Sequence, residues 1–165
     1  MAKAKSFLHL VYWLKEGNTD TIHNKDEYGV RSMIIGIGID IIEISRIKDA
    51  IIRQSFVHRV FTVHEQQYCE SKGVQKAASY AARFAGKEAV MKAFGTGLAG
   101  GTLQDIEIFL NDKGCPHVQL NGQFAILSKQ MEVTAIHISL THAREYAAAQ
   151  AILWGGREHE SCNNC

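Results

Sequence analysis

Residues 80–97 read YAARFAGKEAVMKAFGTG, and the rest of the chain is organised around them. The first fifteen are Ala-rich, lack proline and are interrupted only by Gly86, so they read as helix. Gly95, Thr96 and Gly97 then supply a stop and a flexible turn. Arg83 and Lys87, Phe84 and Glu88, and Glu88 and Lys92 each stand four apart. Side chains at that spacing rise over one another, so one flank presents a carboxylate beside a stripe of cations. Such a flank suits a metal and a phosphorylated ligand held together. It equally suits an ordinary surface helix with Glu-to-Lys pairing, and spacing alone leaves both open.

Upstream, residues 33–44, MIIGIGIDIIEI, give the clearest strand signal, with glycines at 36 and 38 that allow close approach of another backbone. Alternation puts Gly36, Gly38, Asp40 and Ile42 on one face and Ile35, Ile37, Ile39 and Ile41 on the other. An acid in such a run is costly if buried unpaired, so Asp40 either opens a solvent turn or meets a cation, and the cation is the expectation. Residues 44–61, ISRIKDAIIRQSFVHRVF, follow with a helical apolar rhythm and Ser45 as a possible N-cap. Arg46, Lys48, Arg53 and Arg59 make this segment basic, either as a solvated face or as a landing site for an acidic protein. Thr62 followed by Glu65 is a capping-box signature for a short helix over about 63–72.

The long helix is expected over 75–94 and a β-type run over 103–110. A turn at 111–114, a strand starting at Pro116, and a second turn at Asn121 and Gly122 follow. Residues 123–130 read as helix, and 133–140 and 145–154 are β-compatible around a turn at 141–144. Alanines 147–149 suit a strand against something closely packed, and Gly155 and Gly156 release a polar tail. The pattern is α+β, one long helix against an antiparallel sheet. It divides into an N-terminal extension at 1–32, a domain at 33–154 and a C-terminal tail at 155–165, with Met33 a plausible natural start.

With 165 residues and 46% apolar content, the chain has enough for one real core. A net charge of +1 speaks against a strongly basic nucleic-acid binder but leaves room for a local patch. No continuous apolar run approaches bilayer length, so no membrane insertion is expected. The opening MAKAKSFLHLVYWLKEG superficially resembles a signal sequence, yet its apolar part is short and broken by His9, and no small-residue cleavage site follows. A cytoplasmic location is therefore expected. Cys69 and Cys115 are isolated, and the terminal pair Cys162 and Cys165, near His159, lacks a fourth metal ligand.

Three segments taken together resemble the trimeric bacterial holo-(acyl-carrier-protein) synthases, which are phosphopantetheinyl transferases. They are GIGIDIIEISRI at 36–47, RFAGKEAVMKAFGTG at 83–97 and HISLTHAREYAAA at 137–149, in that order and separation. The resemblance spans about 33–153. It implies transfer of the 4′-phosphopantetheine arm of coenzyme A to a serine of apo acyl carrier protein, releasing adenosine 3′,5′-bisphosphate. It further implies a homotrimer with active sites between subunits, and Mg²⁺ held by Asp40 and Glu88 with the pyrophosphate. Lys92 would stabilise the pyrophosphate or the departing phosphate, and Glu88 is a candidate proton acceptor. Arg83 resembles the arginine that reaches the adenosine-phosphate end of coenzyme A. Lys87 is a weaker candidate whose offset from Glu88 turns it outward. Gly95, Thr96 and Gly97 match the turn near the nucleotide, and His137 and Ser139 the strand lining its pocket, although His137 also reads as a satisfied structural imidazole. His142 is turn-like. Arg46 and Arg53, seven apart and near one helix face, would meet the acidic carrier protein. Two departures stand out: Cys115 precedes Pro116 where a basic or polar residue is usual, and Gly86 replaces a common alanine. Competing expectations are a coenzyme A-binding protein without transfer and a small metal-dependent phosphoesterase.

Overall fold

Strand β1 (Arg31–Glu43) is the expected isoleucine-rich run, begun two residues early. The computed structural model describes residues 31–98 and 100–157. The expectations for most of the N-terminal extension, and for His159, Cys162 and Cys165, fall outside them.

Alternation along β1 is as expected from Gly36 onward. A register shift between Ile34 and Gly36 leaves Ile35 half-buried against the core and not on the exposed face with Ile37. Gly38, Asp40 and Ile42 are buried, while Ile37, Ile39 and Ile41 are exposed. The buried face lies against helix α4 (Lys76–Phe94). The approach is so close that a Cβ at Gly36 would overlap the Ala93 carbonyl, and one at Gly38 the Ala89 carbonyl. These glycines are therefore the contact surface for α4. Gly95 ends the helix in the left-handed region at φ 70°, where glycine carries no Cβ penalty.

The basic segment after β1 is two helices, not one. α1 (Ile44–Ala50) and α2 (Gln54–Val60) are separated by a turn. Ser45 caps neither, since Glu43 and Arg53 hold the N-cap positions. The break keeps Ile47 and Ile51 in the core, and α2 adds Val57 and Val60 to it. α3 (Val63–Glu70) begins with the expected capping box, Thr62 accepting from the Glu65 N–H and Glu65 from the Thr62 N–H. Such a cap contributes about 1 kcal/mol.

Beyond a 3-10 turn at Leu103–Asp105, β2 (Ile106–Leu110) and β3 (Pro116–Leu120) form a two-stranded antiparallel sheet. α5 (Gly122–Gln130) precedes β4 (Val133–His142) and β5 (Tyr146–Arg157). β5 lies between β1 and β4, antiparallel to both. His142 pairs with Ala147 at the end of β4 and is not in the turn. Gly155 and Gly156 continue β5 opposite Met33 and Ser32, so they do not release the tail. Ala147 and Ala149 are buried on the face that meets α4. Gly86 sits where a Cβ would crowd the ends of Ile108, Leu140 and Ile138, so close packing accounts for a glycine within the helix.

Candidate active site

Asp40 meets the cation its burial demands. Its Oδ1 lies 2.7 Å from Lys92 Nζ, which also donates to the Ile39 carbonyl at 3.2 Å. Glu88, one helical turn before Lys92, belongs to the same cluster. Burial pushes its carboxyl above the usual range, the like charge of Asp40 pushes the same way, and Lys92 and Arg46 pull it back. The sheet and the long helix thus bring Asp40, Glu88 and Lys92 together. Arg46, read from sequence only as a partner contact, adds its field to the group. The 46–48 basic run gave no signal for that proximity, because it depends on how α1 folds back along α4.

The cation stripe expected along α4 divides. Arg83 and Lys87 turn to the interior, away from the Glu88 flank. Arg83 is 4% exposed; its guanidinium carbon sits 3.9 Å from the centre of the Tyr68 ring, and its Nε has no hydrogen-bond partner. Lys87 corrects the expectation of an outward side chain and a ligand contact. It is fully buried, with Nζ 2.7 Å from Glu65 Oε2 and donating to the Leu103 and Ile106 carbonyls at 2.9 and 2.7 Å. All three ammonium protons are engaged, so Lys87 belongs to the core. Burial holds its pKa below the ordinary lysine value while Glu65 opposes that shift. The capping signature marked Glu65, but nothing local in the sequence joined it to Lys87.

Gly95, Thr96 and Gly97 form an exposed turn beyond the helix, with φ of 61° at Gly97. A helix C-terminus carries partial negative charge, so positive field for a phosphate there must come from side chains or a cation. His137 and Ser139 are exposed on the face of β4 opposite Ile136, Ile138 and Leu140, which pack on the core. Asp40 points to the α4 side of the sheet, so a single chain does not bring His137 or Ser139 to Glu88. Arg46 and Arg53 do converge. They line one groove of about 410 Å³ with Asp49, Phe56 and Phe84, although they stand on different helical segments and not on one helix face.

Among the described residues no three or more His, Cys, Asp or Glu side chains cluster in a way that could hold a metal alone. Two mutually repelling carboxylates already drawing an ammonium form a hard-oxygen pair. That pair fits Mg²⁺ when phosphate oxygens and waters complete its shell. No helix among the described residues is long and apolar enough to cross a membrane.

Residues 36–151, which contain this whole cluster, match the family model for the 4′-phosphopantetheinyl transferase superfamily (ACPS), and the chain belongs to that superfamily. Its activity class is phosphopantetheinyl transfer. Within the family it is similar to two proteins called holo-[acyl-carrier-protein] synthase. The one from Clostridium tetani is 48% identical over 125 residues, 74% of this chain and 98% of that one. The one from Ruminiclostridium cellulolyticum is 45% identical over 120 residues, 71% and 90% of the two chains. The fold is similar to that of the Bacillus anthracis holo-(acyl-carrier-protein) synthase, solved in complex with CoA (3′,5′-ADP). That likeness has a TM-score of 0.62 and 35% identity, covering 74% of this chain and 97% of the other.

Proposed function

We propose that this protein transfers the 4′-phosphopantetheine arm of coenzyme A to a serine of apo acyl carrier protein, leaving adenosine 3′,5′-bisphosphate. The observation that carries the reading is the convergence of Asp40, Glu88 and Lys92 at the interface of β1 and α4, inside the segment that matches the family. Asp40 and Glu88 would hold Mg²⁺, which when bound supplies charge neutralisation at the pyrophosphate. Lys92 binds the pyrophosphate and stabilises charge on the departing phosphate. The serine oxygen forms a bond to the β-phosphorus while the bond from that phosphorus to the bridging oxygen breaks. The serine proton passes to Glu88, whose carboxyl is made more basic than usual by burial and by the like charge of Asp40.

The remaining assignments complete the site. Gly95, Thr96 and Gly97 let backbone approach the nucleotide, whereas Arg83, buried against the Tyr68 ring, is not presented to its phosphate end. His137 and Ser139 line the nucleotide from a neighbouring copy. The exposed row Ile37, Ile39 and Ile41 on the same sheet face supports a homotrimer with sites between subunits. The groove holding Arg46 and Arg53 receives the acidic carrier protein, steered by charge.

Mass spectrometry of apo carrier protein incubated with this protein, coenzyme A and Mg²⁺ tests the reading. A gain of one phosphopantetheine is expected. No gain with folded, assembled protein would remove the proposal.

A further inference from the structure

The ion pair between Glu65 and Lys87 has 0% exposure on both sides, and no ligand role absorbs it. Glu65 Oε2 lies 2.7 Å from Lys87 Nζ and accepts the Thr62 N–H at 2.8 Å, while Oε1 accepts the Ile108 N–H at 2.9 Å. Lys87 spends its other protons on the Leu103 and Ile106 carbonyls. One carboxylate and one ammonium therefore fasten the first turn of α3, the middle of α4, the 3-10 turn and β2 to one another. Burying two charges contributes little net stability compared with apolar residues of the same volume. A fully satisfied buried network instead rigidifies its surroundings in one arrangement.

Lys87 immediately precedes Glu88. Consecutive helical residues differ by about 100° around the axis. Fastening Lys87 toward α3 and β2 therefore leaves Glu88 on the flank where Lys92, one turn on, reaches Asp40 at 2.7 Å. A rotation of ~20° about the axis, at a side-chain radius of about 6 Å, would move that carboxylate by roughly 2 Å. Misplacement on that scale is enough to lose about 100-fold in rate.

We propose that Glu65 and Lys87 are positioning residues, whose buried pair fixes the rotation of α4 and so sets Glu88 against Asp40. This rests on the transferase reading only for its kinetic consequence. Glu65→Asp keeps the charge but shortens the reach, and the double substitution Glu65→Gln with Lys87→Met keeps the volume but removes both charges. Thr62→Ala is the control: it loses the α3 cap hydroxyl and leaves the ion pair in place. Thermal melting reports the fold of each variant. Steady-state kinetics separate kcat from KM, and Mn²⁺ titration followed by electron paramagnetic resonance, with coenzyme A and no carrier protein, reads the Asp40 and Glu88 pair independently of turnover.

The folded Glu65 variants are expected to lose about 10- to 100-fold in kcat, with KM for coenzyme A within about twofold and Mn²⁺ affinity about tenfold weaker. Thr62→Ala should melt at lower temperature and move none of these. A folded Glu65 variant with unchanged kcat and Mn²⁺ affinity overturns the proposal. Failure of both variants to fold also overturns it, because the pair would then be a determinant of folding alone. If the unaltered protein transfers nothing while the variants still bind Mn²⁺ more weakly, the transferase reading falls and the positioning role stands.

Discussion

Lys92 and Asp40 hold each other across the boundary between α4 and β1, with Nζ 2.7 Å from Oδ1. The Asp40 side chain is 7% exposed and that of Lys92 26%, so the pair is closed on the strand side and open on the helix side. An incoming anion can therefore compete for the ammonium without first prising apart the strand.

Lys92→Met removes one of the two positive fields that lower the Glu88 pKa. Glu88 already lies above the ordinary carboxylate value because of burial and Asp40, and it should rise further. If activity needs Glu88 ionised, the acidic limb of kcat/KM against pH moves to higher pH. Turnover should also fall by about 100-fold or more as the phosphate loses its cation. An unmoved acidic limb would show that Glu88 does not set it.

Gly38→Ala should destabilise the fold. Its Cβ would overlap the Ala89 carbonyl, a backbone atom with no rotamer to yield, so strand and helix must separate. Overpacking of this kind costs typically about 1–3 kcal/mol. Urea denaturation should give a lower midpoint with an unchanged slope. A midpoint equal to that of the unaltered protein would mean that the helix moves away freely.

What could be read from the chain follows the range of the forces involved. The period-2 alternation of β1, the αL stop at Gly95 and the Thr62 capping box are local, and each was legible. Asp40 announced a cation by its burial cost alone, although only the tertiary structure joins it to Lys92. Lys87 could not be placed, because its partners are Glu65 and two carbonyls 16 and 19 residues away. Arg46 and Arg53 were linked through a helix that the turn at 51–53 interrupts. They share a groove because α2 folds back, a tertiary effect that heptad spacing matched by coincidence.

Arg53→Glu should raise KM for the carrier protein by about tenfold or more, with KM for coenzyme A little changed. Rising salt should weaken carrier binding by the unaltered protein more than by the variant, since exposed charges are screened over about 10 Å at 0.1 M. An equal rise in both KM values would remove Arg53 from the docking surface.

Cys69 and Cys115 should differ sharply toward iodoacetamide at pH 8. Cys69 is buried, and burial pushes its thiol from 9.0 up to about 12, whereas Cys115 is exposed. Peptide mapping should find Cys115 alkylated and Cys69 intact until the protein unfolds. Because the folded-state pKa is raised, the contribution of the Cys69 thiol to stability is fully present below pH 9 and is lost as pH climbs toward 12. Rapid native labelling of Cys69 would contradict its burial.

His137 and Ser139 stand across the sheet from Glu88, and that separation has a genetic consequence. If both groups serve one reaction, a copy carrying Glu88→Gln and a copy carrying His137→Ala are each defective for a different half of the machinery. Refolded together, the two should complement one another and regain a fraction of the lost turnover, since some junctions in the mixed population pair an intact Glu88 with an intact His137. Dilution should erase the same turnover steeply, because what disappears is the neighbour and not the fold.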